Sequence, residues 1–134
     1  MILVDSSVWI DYFRSGEHTG LLDQYLEEDV IVINDLILAE LIPFLQVRKQ
    51  KQIISLLTSI HNQKLTIAWD QLIAFQYSCL MAGINGIGIP HLIIAQHAIQ
   101  NNFILYSLDR HFSLIQRVIP ALELTQRAIR SDAT

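Results

Sequence analysis

Four side chains able to do acid–base or metal chemistry occupy comparable places in the chain. Asp5 follows the apolar run "ILV" (2–4), Glu40 lies in "NDLILAELIPFL", His91 in "GIGIPHLIIAQHAI" and Asp109 in "FILYSLDRHF". Carboxylates grouped at turns suit hard divalent cations, because Mg2+ and Mn2+ prefer oxygen ligands and keep several of their own waters. A cation held that way can activate water and stabilise the leaving oxygen of a phosphodiester. Each residue also has a plainer reading. Asp5 fits equally well as an ordinary helix cap, a role Ser6 or Ser7 could also fill, and Asp109 could be only a cap as well. Glu40 is more informative. Leu36, Ile37 and Phe44 share its helical face, which places it within an apolar stripe. A carboxylate there is costly unless it is paired or binds a metal.

His91 opens a helix directly after Pro90, a residue well suited to the first helical position. Ile94, Ala95 and Ala98 lie at i+3, i+4 and i+7, so the imidazole is expected on the buried face. A lone histidine on such a face is ordinarily a hydrogen-bonded core residue, and His97, on a different face, has that reading alone. His18, His61 and His111 read as surface or cap residues, although His111 stands close to Asp109. No G-x-S-x-G elbow or P-loop occurs, and "GINGIG" (83–88) precedes a proline-started helix instead of directly following a strand. No Cys/His spacing suggests zinc.

These residues need a scaffold that aims them at one point. Five β-rich runs stand out, at 2–4, 30–33, 65–68, 103–106 and 122–125, with helical patterns near 7–14, 21–28, 35–60, 70–83, 90–101 and 110–118. Pro43 lacks an N–H and is expected to kink or break its helix after about residue 42. Strands alternating with helices imply a parallel sheet covered on both faces, with right-handed crossovers. Ligands then bind beyond the carboxyl ends of the strands. The 134 residues suit one domain, taken as 1–134 with a loose tail from about 127. Apolar content of 51% and a mean hydropathy of +0.36 fit strands buried on both faces. Trp9 and Trp69 are expected in the core.

No apolar run reaches the roughly 18 residues of a membrane span. "MILVDSSVW" lacks a basic leader region, and one cysteine, Cys79, fits a buried thiol in a reducing cytoplasm. A net charge of −4 gives no global sign of a nucleic-acid partner. The cluster Arg48, Lys49 and Lys51 reads first as a solvated helix end.

Taken together, "ILVDSSVWIDYF" (2–13), "NDLILAELI" (34–42), "GIPHLIIAQHA" (88–98) and "LYSLDRHF" (105–112) resemble PIN-domain ribonucleases, specifically VapC-like toxins of bacterial toxin–antitoxin pairs. The resemblance spans almost the whole chain in the family's order. It implies a three-layer α/β/α sandwich around a parallel sheet of four to five strands. It also implies Mg2+- or Mn2+-dependent cleavage of RNA in the cytoplasm, a homodimer, and a small antitoxin that blocks the site. Asp5, Glu40 and Asp109 match three acidic family positions expected to hold metal, and Ser6 and Ser107 match supporting hydroxyls. His91 departs from the pattern, since the family usually has an aspartate after "IP". A shifted alignment offers no replacement, because residues 71–108 contain no Asp or Glu. His91 therefore stands as a site residue that ligates metal, acts as a base or contacts substrate. The competing implication is a PIN-like protein that binds RNA or antitoxin and cleaves poorly. Receiver and haloacid-dehalogenase-like phosphatase classes fit badly: no lysine follows Lys64, and Ser7 stands where the phosphatases need a second aspartate.

Overall fold

The computed structural model describes residues 1–125, so the expected loose tail from about 127 lies outside the described residues. The described residues form five strands and seven helices. The strands are β1 (Ile2–Val4), β2 (Ile31–Ile33), β3 (His61–Asn62), β4 (Ile104–Tyr106) and β5 (Glu123–Leu124). The helices are α1 (Ser6–Arg14), α2 (Gly20–Glu27), α3 (Asp35–Val47), α4 (Lys51–Ser59), α5 (Trp69–Met81), α6 (Ile89–Gln100) and α7 (His111–Val118).

All strand pairs are parallel, in the order β3-β2-β1-β4-β5. β1 sits at the centre and β2 is buried at every residue, which explains their unbroken β-branched and aliphatic sequences. Helices α1, α3 and α4 pack on one another, and so do α5, α6 and α7. These two groups are the helical layers of an α/β/α sandwich. The core between layers contains Leu3, Val4, Trp9, Val32, Ile37, Leu41, Leu92, Leu105 and Phe112, all at most 1% exposed. Cys79 is fully buried, as expected, and burial pushes its thiol pKa up.

Three expectations need correction. The run 65–68 is not a strand; β3 is the short pair His61–Asn62. The backbone of 66–68 is satisfied by side chains of α6 instead of by a neighbouring strand. Gln96 Oε1 accepts from Ala68 N–H, its Nε2 donates to Ala68 O, and Gln100 Nε2 donates to Thr66 O. The helix through Pro43 does not end at 42. It runs on to Val47 because Leu41 and Leu45, one turn apart, are both held in the core on either side of the proline. The interruption falls instead at 48–50, where Lys49 adopts a positive φ of 57°. Trp9 is buried as expected, but Trp69 is 59% exposed.

Candidate metal and nuclease site

β1 pairs with β2 on one side and β4 on the other, so chain direction away from the centre reverses between β1 and β4. Such a switch point opens a crevice at the carboxyl edge of the sheet. Asp5 follows β1 there, its N–H donating to Tyr106 O at 3.0 Å, and Asp109 follows β4. A cleft of about 400 Å³ at this edge is lined by Asp5, Ser6, Ser7, Glu40, His91 and Asp109, together with Ile10, Gly88, Pro90 and Ile94. All four residues singled out by type and spacing therefore face one cavity.

Asp5 is 4% exposed and occupies the N-cap position of α1, but its side chain makes no capping bond. Its carboxylate is instead held by hydroxyls. Ser107 Oγ donates to Oδ2 at 2.6 Å, Ser7 Oγ to Oδ2 at 2.7 Å, and Ser6 Oγ to Oδ1 at 3.3 Å. Ser107 and Ser7 each accept a main-chain N–H in return, from Asp109 at 2.9 Å and Leu108 at 3.0 Å. Ser6 and Ser107 are the expected supporting pair; Ser7 makes a shorter bond than Ser6 and joins the first turn of α1 to the loop after β4.

Glu40 is carried by α3, whose N-cap Asn34 accepts from Ile37 N–H at 2.9 Å. It does not sit inside a buried stripe as the spacing suggested. Ile37, Leu41 and Leu45 make that stripe, while Glu40 is exposed beside it and Phe44, one turn on, is 41% exposed. Glu40 lines the cleft from the middle of α3. Partial burial and the nearby Asp5 charge raise its pKa, with His91 pulling the other way.

His91 is half-buried at the third position of α6, with Pro90 at the second. Its Nδ1 accepts from the N-cap Gly88 N–H at 3.2 Å, the role a glutamate or glutamine has in a capping box. That bond assigns the neutral ring proton to Nε2, which donates to Asp109 Oδ2 at 2.9 Å. His111, expected only as a surface or cap residue, is the second partner. Its backbone N–H and its Nδ1 both reach Asp109 Oδ1, at 3.0 and 2.7 Å. Burial alone would raise the Asp109 pKa, but the His111 backbone and the two rings outweigh it and hold the carboxyl below its ordinary value. The ligand atoms of His91, Asp109 and His111 all lie within 4.8 Å of one another. Asp5 and Glu40 line the same cleft without joining that trio.

His97, read from sequence as core, is that: it is 2% exposed and its Nδ1 lies 2.9 Å from Asn34 Nδ2. The pair ties the cap of α3 to α6, and thereby the helix of Glu40 to the helix of His91.

The donor set tests how well divalent ions fit. Asp5, Glu40 and Asp109 supply oxygens to one cavity, which suits a hard cation, while His91 brings a nitrogen where an oxygen would suit Mg2+ better.

The PIN domain family model matches residues 2–118. No curated protein matches the chain. Among solved structures, VapBC2 from Rickettsia felis bound to a promoter DNA fragment is 20% identical, with a TM-score of 0.72 over 93% of this chain and 98% of that one. VapBC-1 from nontypeable Haemophilus influenzae is 20% identical, with a TM-score of 0.69 over 95% and 98%. DNA-bound VapBC from Salmonella typhimurium is 14% identical, with a TM-score of 0.72 over 92% and 96%. At these identities the likeness is one of fold. The family match covers every strand but β5, both helical layers, and all four acid and imidazole positions of the cleft: the chain belongs to the PIN domain family.

Proposed function

We propose that this chain is a divalent-metal-dependent endoribonuclease, the VapC-like toxin of a type II toxin–antitoxin pair, acting in the cytoplasm. The observation that carries the reading is the convergence of Asp5, Glu40 and Asp109 on one cleft at the switch point of a PIN-domain sheet. Those three carboxylates would hold Mg2+ or Mn2+. A bound cation would supply charge stabilisation at the phosphodiester and a lower pKa for water. The protein's own contribution is positional. Ser7 and Ser107 fix Asp5, with Ser6 at a longer distance, and Asn34 caps the helix that presents Glu40. Partial burial and the Asp5 charge raise the Glu40 pKa, a cost that a cation shared with Asp5 and Asp109 would relieve. His91 contributes through Asp109, and Arg110, exposed beside the cleft, is placed to meet a phosphate.

An antitoxin partner is supported by a groove that adjoins the cleft at Ile10 and is lined also by Phe13, Leu41, Phe44, Arg14 and Arg48, apolar but for two cations. A homodimer is supported by the outer face of α5, where Trp69, Ile73, Tyr77, Leu80 and Met81 are each more than half exposed. Among the described residues no helix is long and apolar enough to cross a membrane.

A second reading, RNA or antitoxin binding with poor cleavage, draws on one observation: both Asp109 oxygens are engaged by histidines. Incubating purified chain with single-stranded RNA in Mn2+, Mg2+ or EDTA decides between them. The nuclease reading expects cleavage in at least one metal and none in EDTA. Binding without cleavage in either metal would favour the second reading.

A further inference from the structure

Three donors, two of them on the cleft wall, meet in a combination that the carboxylate reading does not draw on. His91 Nε2 and His111 Nδ1 approach the two oxygens of Asp109 at 2.9 and 2.7 Å. Their rings lie 4.8 Å apart at 39°, and the buried Phe112 ring stands edge-on to His91 at 5.4 Å. The imidazoles come from different helices, α6 and α7, so the fold itself brings them together. The three side chains keep 26–34% exposure, which leaves them reachable from solvent.

Two imidazoles and one carboxylate form a donor set of the zinc class, whose catalytic sites commonly hold three such ligands and one open position. Nitrogen donors favour Zn2+, Co2+ and Ni2+, whereas Mg2+ demands oxygen and dehydrates reluctantly. Metal–ligand bonds of about 2.0–2.2 Å set tetrahedral ligands roughly 3.4 Å apart, against a present spacing of within 4.8 Å. We propose that His91, Asp109 and His111 form a transition-metal site that takes Zn2+, Co2+ or Ni2+ in preference to Mg2+.

Occupation rearranges protons without changing their number. The His91 proton moves from Nε2 to Nδ1, giving up the bond from Gly88 N–H, and the His111 proton moves from Nδ1 to Nε2. Asp109 is common to this site and to the hard-cation set. An ion on the histidines therefore withdraws it from Asp5 and Glu40, and Zn2+ inhibits Mg2+-supported cleavage. That last consequence rests on the nuclease reading; the site itself rests on the donor geometry.

The test uses the untagged full chain. Co2+ is titrated by visible absorption and Zn2+ by calorimetry, for wild type, His91→Ala, His111→Ala and the control His18→Ala, each checked by circular dichroism. His91→Gln and His111→Gln replace any alanine variant that does not fold. Loss of a second-shell partner alone costs about 10–100-fold in metal affinity, so losing a direct ligand is expected to cost at least that. The expected result is a ligand-field spectrum at one ion per chain that persists in equimolar Mg2+, affinity reduced in both cluster variants, and wild-type behaviour in His18→Ala. Wild-type affinity in either cluster variant, or displacement of Co2+ by equimolar Mg2+, would overturn the site. RNA cleavage without a Co2+ spectrum removes this site and leaves the nuclease reading. A His-dependent spectrum without cleavage in any metal supports the site and removes the nuclease reading.

Discussion

Ser107 shows how little side chain is needed to place an acid of the cleft. Its hydroxyl donates to Asp5 and accepts from Asp109 N–H, and so links two of the acids of the cleft. Ser107→Ala should destabilise the fold by about 1.5–3 kcal/mol, the usual worth of a hydrogen bond to a charged group. Urea unfolding measures this, and a change within about 0.5 kcal/mol would mean that Ser7 alone suffices. His97 supports a pH prediction. Burial lowers its pKa, a weaker backbone contact with Lys64 works the other way, and Asn34 presents an N–H to its Nδ1, which disfavours a second ring proton. With the folded-state pKa depressed, the unfolded chain takes up the proton first. The stabilisation is complete above about pH 6.5 and is lost as pH falls from there to the folded value. The melting temperature should therefore fall more steeply below that pH in wild type than in His97→Gln; equal slopes would contradict it. At this scale Asp5 and Asp109 were legible as neighbours because each follows a strand of the sheet, whereas Glu40 was singled out for a buried stripe it does not occupy and reaches the cleft from within α3. Ser7 and His111 were not legible, since which residue of a helix's first turn meets a carboxylate depends on the rotation of that turn, which sequence spacing does not report.

Among the elements, the apolar strands β1, β2 and β4 could be read to within a residue, because burial on both faces leaves a continuous apolar run, and five of the helices to within two; the pattern at 35–60 is two helices, α3 and α4, parted at 48–50. β3 could not. It is an edge strand of two exposed residues, and its backbone pairing carries no side-chain signature. The apolar run 65–68 misled because its carbonyl and amide groups are met by Gln96 and Gln100, residues nearly thirty or more positions away. α5 misled in another way. Trp69 was expected in the core, yet Trp69, Ile73 and Tyr77 at i, i+4 and i+8 form an exposed stripe. That stripe should be the contact between two copies. Ile73→Lys is expected to leave the helix intact and convert a dimer to the 15.3 kDa monomer in light scattering. An unchanged mass would place the dimer contact elsewhere.

For the molecule as a whole, the strand order β3-β2-β1-β4-β5 decides where chemistry can occur. Only at the β1–β4 boundary do successive connections diverge, and there Asp5 and Asp109 emerge side by side while α3 and α6 bring Glu40 and His91. A cleft of carboxylates in a chain of net charge −4 repels a polyanion. On the nuclease reading, a divalent cation in the cleft would offset that repulsion as well as support the reaction, and chelation should weaken RNA binding and abolish cleavage. The most direct test of this account is RNA cleavage by wild type and Asp5→Asn in Mn2+ and in Mg2+, with EDTA as the control. Asparagine preserves the shape that Ser7 and Ser107 hold while removing the charge. The account predicts metal-dependent cleavage by wild type and a loss of at least about a hundredfold in Asp5→Asn, the scale of removing one transition-state-stabilising group. Cleavage that survives EDTA, or that proceeds equally in Asp5→Asn, would contradict it.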